Sequence, residues 1–313
     1  MNILVLDSTV VEGIETGPGS PAYFSRFAIR QLADDGHSIC ISNDPRPELI
    51  EASDVVWSEW CNELAFSVAA SGLAKKFFIR MRGYDVWMPL EKMAWKNVQA
   101  LVYESLFMKA LAEEQYEPLG CDTLDALGLH LPTHVIPSGI DLDDHKFVQR
   151  FRLGRPILAL VARTTADKGY QLAFEYARQR PGIELHVTTA LSETNPRLLR
   201  YLQHTKPDNV AIHGNVDTAS WLNNIHATHI LSASIWETLG YTIAEGMAVG
   251  CKPLIHAAPG VNLNWPKKHL WKSFEDLDRL LAEPIKSEEY RDYVSEHLSA
   301  KRGTELFMNL VLG

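Results

Sequence analysis

Short apolar runs alternate with amphipathic stretches along almost the whole chain. The first run, Ile3–Leu6, predicts a strand. Between 21 and 33, Phe24, Phe27, Ala28 and Leu32 recur at helical spacing, and Gly36 follows as a stop. Ser38–Ser42 predicts the next strand, Asp54–Trp57 another, Glu63–Ala74 a helix and Lys76–Arg80 a strand. Val98–Tyr103, a helix over Leu106–Glu114 and a strand at His134–Ile136 close the first half. After a charged stretch from Asp143 to Arg155 the alternation restarts. Strands are expected at Ile157–Val161, Glu184–Val187, Val210–Ile212, His229–Leu231 and Lys252–Ile255. Helices are expected at Gly169–Arg178, Pro196–His204, Thr218–Ile225 and Gly240–Ala248, with two more near Phe274–Leu281 and Ser287–Val311.

Strands alternating with helices in this way predict parallel sheets wrapped on both faces. Two such series give an α/β protein of two doubly wound, Rossmann-like domains facing a central cleft. The expected boundaries are 1–150 for the first domain and 151–290 for the second. A C-terminal helix over 291–313 is expected to pack back on the first. In such sheets ligands bind at the carboxyl ends of strands, so loops following strands are where chemistry is sought.

The richest of these loops runs Ser234-Ile-Trp-Glu237-Thr238-Leu239-Gly240 into a helix carrying Glu245. A helix start offers backbone N–H groups and a positive dipole end to a phosphate. Of two carboxylates eight residues apart, Glu245 can reach hydroxyls further along a ligand, and carboxylates accept from sugar hydroxyls, two at a time from a ribose diol. A second loop, Arg163-Thr-Thr-Ala-Asp-Lys168-Gly169, puts a forked and a point cation five residues apart. That pair suits a diphosphate and the charge that grows on it as it leaves. A third, around Gly17 and Gly19, lets backbone approach a ligand closely.

Taken together these motifs resemble the retaining glycosyltransferases of family 4, of GT-B fold. Arg163, Lys168 and Gly169 match that family's Arg-x4-Lys-Gly loop. Ser234, Glu237, Gly240, Glu245, Met247, Ala248, Gly250 and Pro253 keep the spacing of its second signature. Ile136-Pro-Ser-Gly-Ile-Asp141 is similar to its interdomain segment, and Gly36-His37 to its Gly-His before the second strand. The likeness is specific over 157–255 and looser before. It implies transfer of a sugar from a UDP- or GDP-linked donor to an acceptor hydroxyl, with no metal and no other cofactor. The acceptor class it implies is a cell-surface glycan or glycolipid. Arg163 and Lys168 would hold the diphosphate, Glu245 the ribose and Glu237 the transferred sugar. Gly17 and Gly19 would lie under the donor, and Ser234, Thr238, Leu239 and Gly240 would complete its site. Three departures stand out: Ala233 replaces a Pro, Thr238-Leu239 replaces Gly-Phe, and Arg82 stands where many relatives have an acceptor-side His. Arg82 and Asp85 are therefore the acceptor-side candidates.

Composition narrows the alternatives. A net charge of −9 argues against a general nucleic-acid binder, although a glycosyltransferase of hydroxymethylated, phage-type DNA bases would share the same donor site. Other rivals are a phosphorylase, a sugar-nucleotide epimerase, and a non-catalytic sugar-nucleotide-binding partner subunit. Cys40, Cys61, Cys121 and Cys251 have neither CxxC nor zinc spacing and are expected to be reduced thiols in a cytoplasmic protein. The start of the chain lacks a signal-peptide pattern, and no apolar run is long enough to span a bilayer. Peripheral membrane contact remains an alternative, through Trp87-Met-Pro-Leu-Glu-Lys-Met-Ala-Trp95-Lys, read as a loop plus helix. Lys75, Lys76, Arg80 and Arg82 are expected to make the first domain's cleft side basic, facing an anionic acceptor or the donor phosphates. Asp141-Leu-Asp143 and Asp276-Leu-Asp278 read as turn and helix face rather than metal ligands, and His226 and His229 as structural residues at a strand end.

Overall fold

The computed structural model describes residues 1–8, 25–83, 85–116, 131–151, 154–189 and 195–313. The chain divides into two compact units, Met1–Gly139 with Ala300–Gly313, and Ile140–Ser299.

In the first unit six parallel strands lie in the order β2-β1-β3-β4-β5-β6. They are β1 (Asn2–Leu6), β2 (Ser38–Ser42), β3 (Val55–Ser58), β4 (Phe77–Met81), β5 (Ala100–Tyr103) and β6 (Thr133–Val135). Every residue of β3, β4 and β5 is buried, as expected where helices cover both faces of a parallel sheet. The covering helices are α1 (Arg26–Asp34), α2 (Pro47–Ala52), α3 (Glu63–Ser71) and α4 (Leu106–Tyr116). The Asn62 side chain caps α3 by accepting from Leu64 N–H. The last helix of the chain, α12 (Ala300–Leu312), also belongs here. Its Phe307 and Val311 join Trp57 and Phe78 in the core, with the Trp57 and Phe307 rings 4.4 Å apart.

The second unit repeats the plan with the order β12-β11-β10-β7-β8-β9, again all parallel. Its strands are β7 (Ile157–Leu160), β8 (Glu184–Thr188), β9 (Val210–His213), β10 (His229–Ser232), β11 (Lys252–His256) and β12 (Leu270–Trp271). Its helices are α5 (Tyr170–Gln179), α6 (Pro196–Thr205), α7 (Thr218–Asn224), α8 (Tyr241–Ala248), α9 (Val261–Asn264), α10 (Phe274–Ala282) and α11 (Ser287–Leu298). The segment leading into β7 is packed into this unit. Arg150 donates its backbone N–H to Ser287 Oγ at 2.9 Å and its guanidinium to Val249 O at 3.2 Å.

Several expectations change. The single helix expected over Ser287–Val311 is two, because Ser299 is extended (φ −74°, ψ 140°) and pairs with Ile140. The helix expected within Trp87–Lys96 is a chain of short 3-10 turns, with Trp95 buried and its indole N–H donated to Leu90 O at 2.9 Å. Met93 is buried as well, while Trp87 is 52% exposed. The basic cleft side does not form either. Lys75 and Lys76 precede β4, whereas Arg80 and Arg82 lie at its far end, buried against carboxylates. Asp143 N–H bonds Asp141 Oδ1 at 3.0 Å in a local turn, and the described residues hold no cluster of metal-ligating side chains. Among the described residues no helix is long and apolar enough to cross a membrane.

Candidate functional site

Strand order places a switch point in the second unit. The chain leaves β7 for β8 and β9 on one side, then returns to lay β10 against the other side of β7. The carboxyl ends of β7 and β10 therefore form the switch point of this sheet, where doubly wound proteins bind ligands. The two motif-bearing loops leave from these two strand ends.

The loops are fastened to each other. Ile235 N–H donates to Asp167 O at 2.9 Å. Gly169 adopts φ +67°, and a Cβ there would lie 1.9 Å from Ala233 O. Only glycine permits both this left-handed turn and this approach. Buried Tyr170, next in the chain, ties the base of the loop down: its hydroxyl lies 2.8 Å from Ala162 O and 2.7 Å from Thr188 O and donates to one or the other. Burial pushes its phenol well above the usual range.

This fastening brings Lys168 and Glu237 together. Lys168 Nζ lies 3.0 Å from Glu237 Oε2 and 3.7 Å from Asp167 Oδ2. Buried Ser234 donates its hydroxyl to the same Glu237 oxygen at 3.3 Å. Both Lys168 and Glu237 keep part of their side chains in solvent, at 12% and 18% exposure, so the pair is open to a ligand. Arg163 is exposed, two residues beyond Val161 at the mouth of β7.

Gly240 (φ +87°) is the N-cap of α8, and the carbonyls of Thr238 and Leu239 just before it are held from outside. Asn264 Nδ2 donates to Thr238 O at 2.7 Å, and Trp265 Nε1 to Leu239 O at 2.6 Å. At Gly246 a Cβ would meet Ile230 Cβ at 2.5 Å, so glycine lets α8 lie directly on β10. Glu245, half-buried, stands four residues into α8, about 6 Å along its axis.

Sequence reading did not find His256, Asn264, Trp265 or Tyr170. His256 closes β11, and its Nδ1 lies 2.9 Å from Ser234 O, while its ring packs on Trp271 at 4.7 Å. A polar residue ending an apolar strand run was the available signal. Asn264 and Trp265 had none, since they reach the loop only through tertiary packing. Gly17 and Gly19 lie outside the described residues.

In the first unit Arg82 and Asp85 are buried. Arg82 pairs with Glu59 and, at 3.2 Å, with Glu104. Arg80 reaches Glu104 at 3.4 Å. Ser138 donates both its N–H (3.0 Å) and its hydroxyl (2.8 Å) to Glu104. Asp85 Oδ2 accepts from Cys61 N–H at 2.9 Å and Arg82 N–H at 2.8 Å. Burial raises the Asp85 carboxyl from an ordinary 3.8 to about 6, against the lowering effect of these two bonds. Its proton is held more tightly in the folded state, so its stabilising contribution is complete well below pH ~4 and is lost as pH rises through ~6. Asp85→Asn keeps an acceptor oxygen but cannot ionise. Chemical denaturation from pH 4 to 7 is expected to show wild type losing about 2 kcal/mol relative to Asp85→Asn. Parallel curves for the two proteins would refute this.

No family model matches the chain, and none of the curated proteins matches it in sequence. Solved structures do match. Sucrose-phosphate synthase from Thermosynechococcus elongatus is similar with a TM-score of 0.71 at 15% identity, covering 99% of this chain and 98% of that one. A glycosyltransferase from Rickettsia africae gives 0.68 at 16% identity, covering 99% and 98%. The lipopolysaccharide outer core galactosyltransferase WaaB gives 0.67 at 12% identity, covering 100% and 99%. The fold is GT-B. A GT-B chain has two doubly wound units, and here Ser234, Lys168 and Glu237 meet at the switch point of the second.

Proposed function

We propose that the chain is a retaining glycosyltransferase of family 4 type, taking a nucleoside-diphosphate sugar as donor and a hydroxyl as acceptor. The observation that supports this most directly is the meeting of Lys168 and Glu237, 3.0 Å apart, at the β7/β10 switch point. One group suits a diphosphate and the other a sugar hydroxyl, and α8 begins beside them. The solved structures of like fold include enzymes named for sugar transfer, which agrees with the reading.

In this proposal Arg163, Lys168 and the α8 N-terminus receive the diphosphate. Glu245 accepts from the ribose hydroxyls and Glu237 from the transferred sugar. Ser234, Thr238, Leu239 and Gly240 shape the turn on which the donor rests, and the family resemblance assigns Gly17 and Gly19, outside the described residues, to donor binding as well. The acceptor oxygen attacks the anomeric carbon on the face from which the nucleotide departs. The new C–O bond forms as the bond to the β-phosphate oxygen breaks, and that phosphate takes the acceptor's proton. The cations and helix start stabilise the departing charge, so the proposed reaction needs no metal and no cofactor. The proposed acceptor is a cell-surface glycan or glycolipid.

The direct test is thermal stability with UDP, GDP, ADP and their common sugars, on wild type and Glu245→Ala. One nucleotide is expected to stabilise wild type, by about 2.7 kcal/mol at 100 times its Kd. Glu245→Ala is expected to weaken that nucleotide about tenfold, the loss of one charge-assisted hydrogen-bond pair. Absence of a shift with every nucleotide at millimolar concentration would count against the donor site. Anomeric retention is then checked by NMR of the product.

A further inference from the structure

The first unit has its own switch point, between β1 and β3, because β2 lies on one side of β1 and the chain crosses to the other side for β3. Asp7 directly follows β1, and Glu59 and Trp60 directly follow β3. The Trp60 indole N–H donates to Asp7 Oδ1 at 3.1 Å, so this bond spans the switch point. The same edge of the sheet carries Arg80 and Arg82 at the end of β4, Glu104 after β5 and Ser138 after β6.

Charge there is balanced internally. Arg80 and Arg82 are 2% and 5% exposed, and Glu59 and Glu104 2% and 3%. Each guanidinium lies within 4 Å of carboxylates of both Glu59 and Glu104. Asp7, 1% exposed, adds a third carboxylate. An anionic ligand arriving at this edge would meet guanidiniums already paired with carboxylates. Breaking a buried guanidinium–carboxylate pair to receive it would cost several kcal/mol.

Trp60 is the member of the cluster that reaches solvent; Asp7, Glu59, Arg80, Arg82, Glu104 and Ser138 are all buried. Its indole is fixed at the N–H by Asp7 and covered by the Arg82 guanidinium, 5.5 Å from the ring centroid. A rigid, half-buried aromatic surface set among hydrogen-bonding groups suits a ring with an apolar C–H face and hydroxyls at its rim.

We infer that Trp60 is the platform of an acceptor subsite for an uncharged glycoside. This rests on the glycosyltransferase reading, and it selects the neutral class over a uronate, a phosphorylated sugar or a nucleic acid. Trp60 positions the acceptor ring, while the Arg82–Glu59–Glu104 network beneath it is a fixed support.

The test uses the full chain with the donor chosen by the nucleotide panel. Initial rates of nucleotide release are measured with methyl glycosides of glucose, galactose, mannose and N-acetylglucosamine. Glucuronide, galacturonide and glucose 6-phosphate are run alongside. Trp60→Ala and Trp60→Phe are compared with wild type, and nucleotide thermal shifts confirm that both variants are folded. At least one neutral glycoside is expected to accelerate release more than every charged sugar. Its KM is expected to rise about tenfold or more in Trp60→Ala, to stay within about threefold in Trp60→Phe, and to leave the donor KM unchanged. A faster rate with a charged sugar, an unchanged acceptor KM in Trp60→Ala, or no acceleration by any neutral glycoside would overturn the subsite. Normal nucleotide shifts in those cases would leave the donor reading standing. Loss of nucleotide shifts in wild type would overturn that reading and this inference with it.

Discussion

Glu237→Gln is expected to lower sugar transfer by about 10²–10³-fold while making the protein bind the bare nucleoside diphosphate more tightly. The two effects follow from one contact. Glu237 holds Lys168 at 3.0 Å, and Ser234 hydrogen-bonds the same carboxylate oxygen. A diphosphate arriving beside Lys168 competes with that carboxylate for the ammonium and is repelled by its charge. Glutamine keeps the shape and removes both penalties, so Lys168 turns to the phosphate more readily. Tightening of about three- to tenfold corresponds to roughly 0.6–1.4 kcal/mol, the scale of one partly exposed ion pair. Transfer suffers because the amide accepts more weakly from the sugar hydroxyls where charge develops. Calorimetric titration of the nucleotide together with single-turnover kinetics separates the two. Weaker nucleotide binding in Glu237→Gln would show that the carboxylate supports Lys168 rather than competing for it.

Gly169→Ala is expected to cost about 3 kcal/mol or more of stability and to abolish nucleotide binding. The added Cβ has no room, since it would lie 1.9 Å from Ala233 O, and φ +67° adds the strain of a left-handed L-residue. Backbone must move, and the movement parts the two loops that Ile235 N–H and Asp167 O hold together. Lys168 and Glu237 then no longer meet. A fall in Tm of about 6 °C or more is expected, with loss of the nucleotide-induced shift. Gly182→Ala is the control, because a Cβ there meets nothing within 4 Å. A Gly169→Ala protein with unchanged Tm and intact nucleotide binding would show that the loops are not built on this approach.

The motif proposed to hold the donor was legible as a pattern because its parts are local. Ser234, Glu237, Gly240 and Glu245 share one strand–turn–helix, and Arg163, Lys168 and Gly169 share one loop. The first unit's chemistry was not. Arg80 and Arg82 read as a basic surface, since nothing in the sequence shows that Glu59 and Glu104, 21 or more residues away, come to the same sheet edge. Ser287–Val311 read as one helix because its periodicity runs on, while the break at Ser299 is set by pairing with Ile140.

The sequence by itself determined the α/β alternation, the parallel sheets and the residue types at the turn between β10 and α8. These depend on apolar periodicity and turn chemistry, which act over a few residues. Tertiary structure alone decided the strand order and hence the two switch points. It also decided the 3.0 Å meeting of Lys168 and Glu237 and the neutralisation of Arg80 and Arg82. Each of these depends on contacts between segments far apart in the chain, whose free energy comes from burial and pairing that no local pattern encodes.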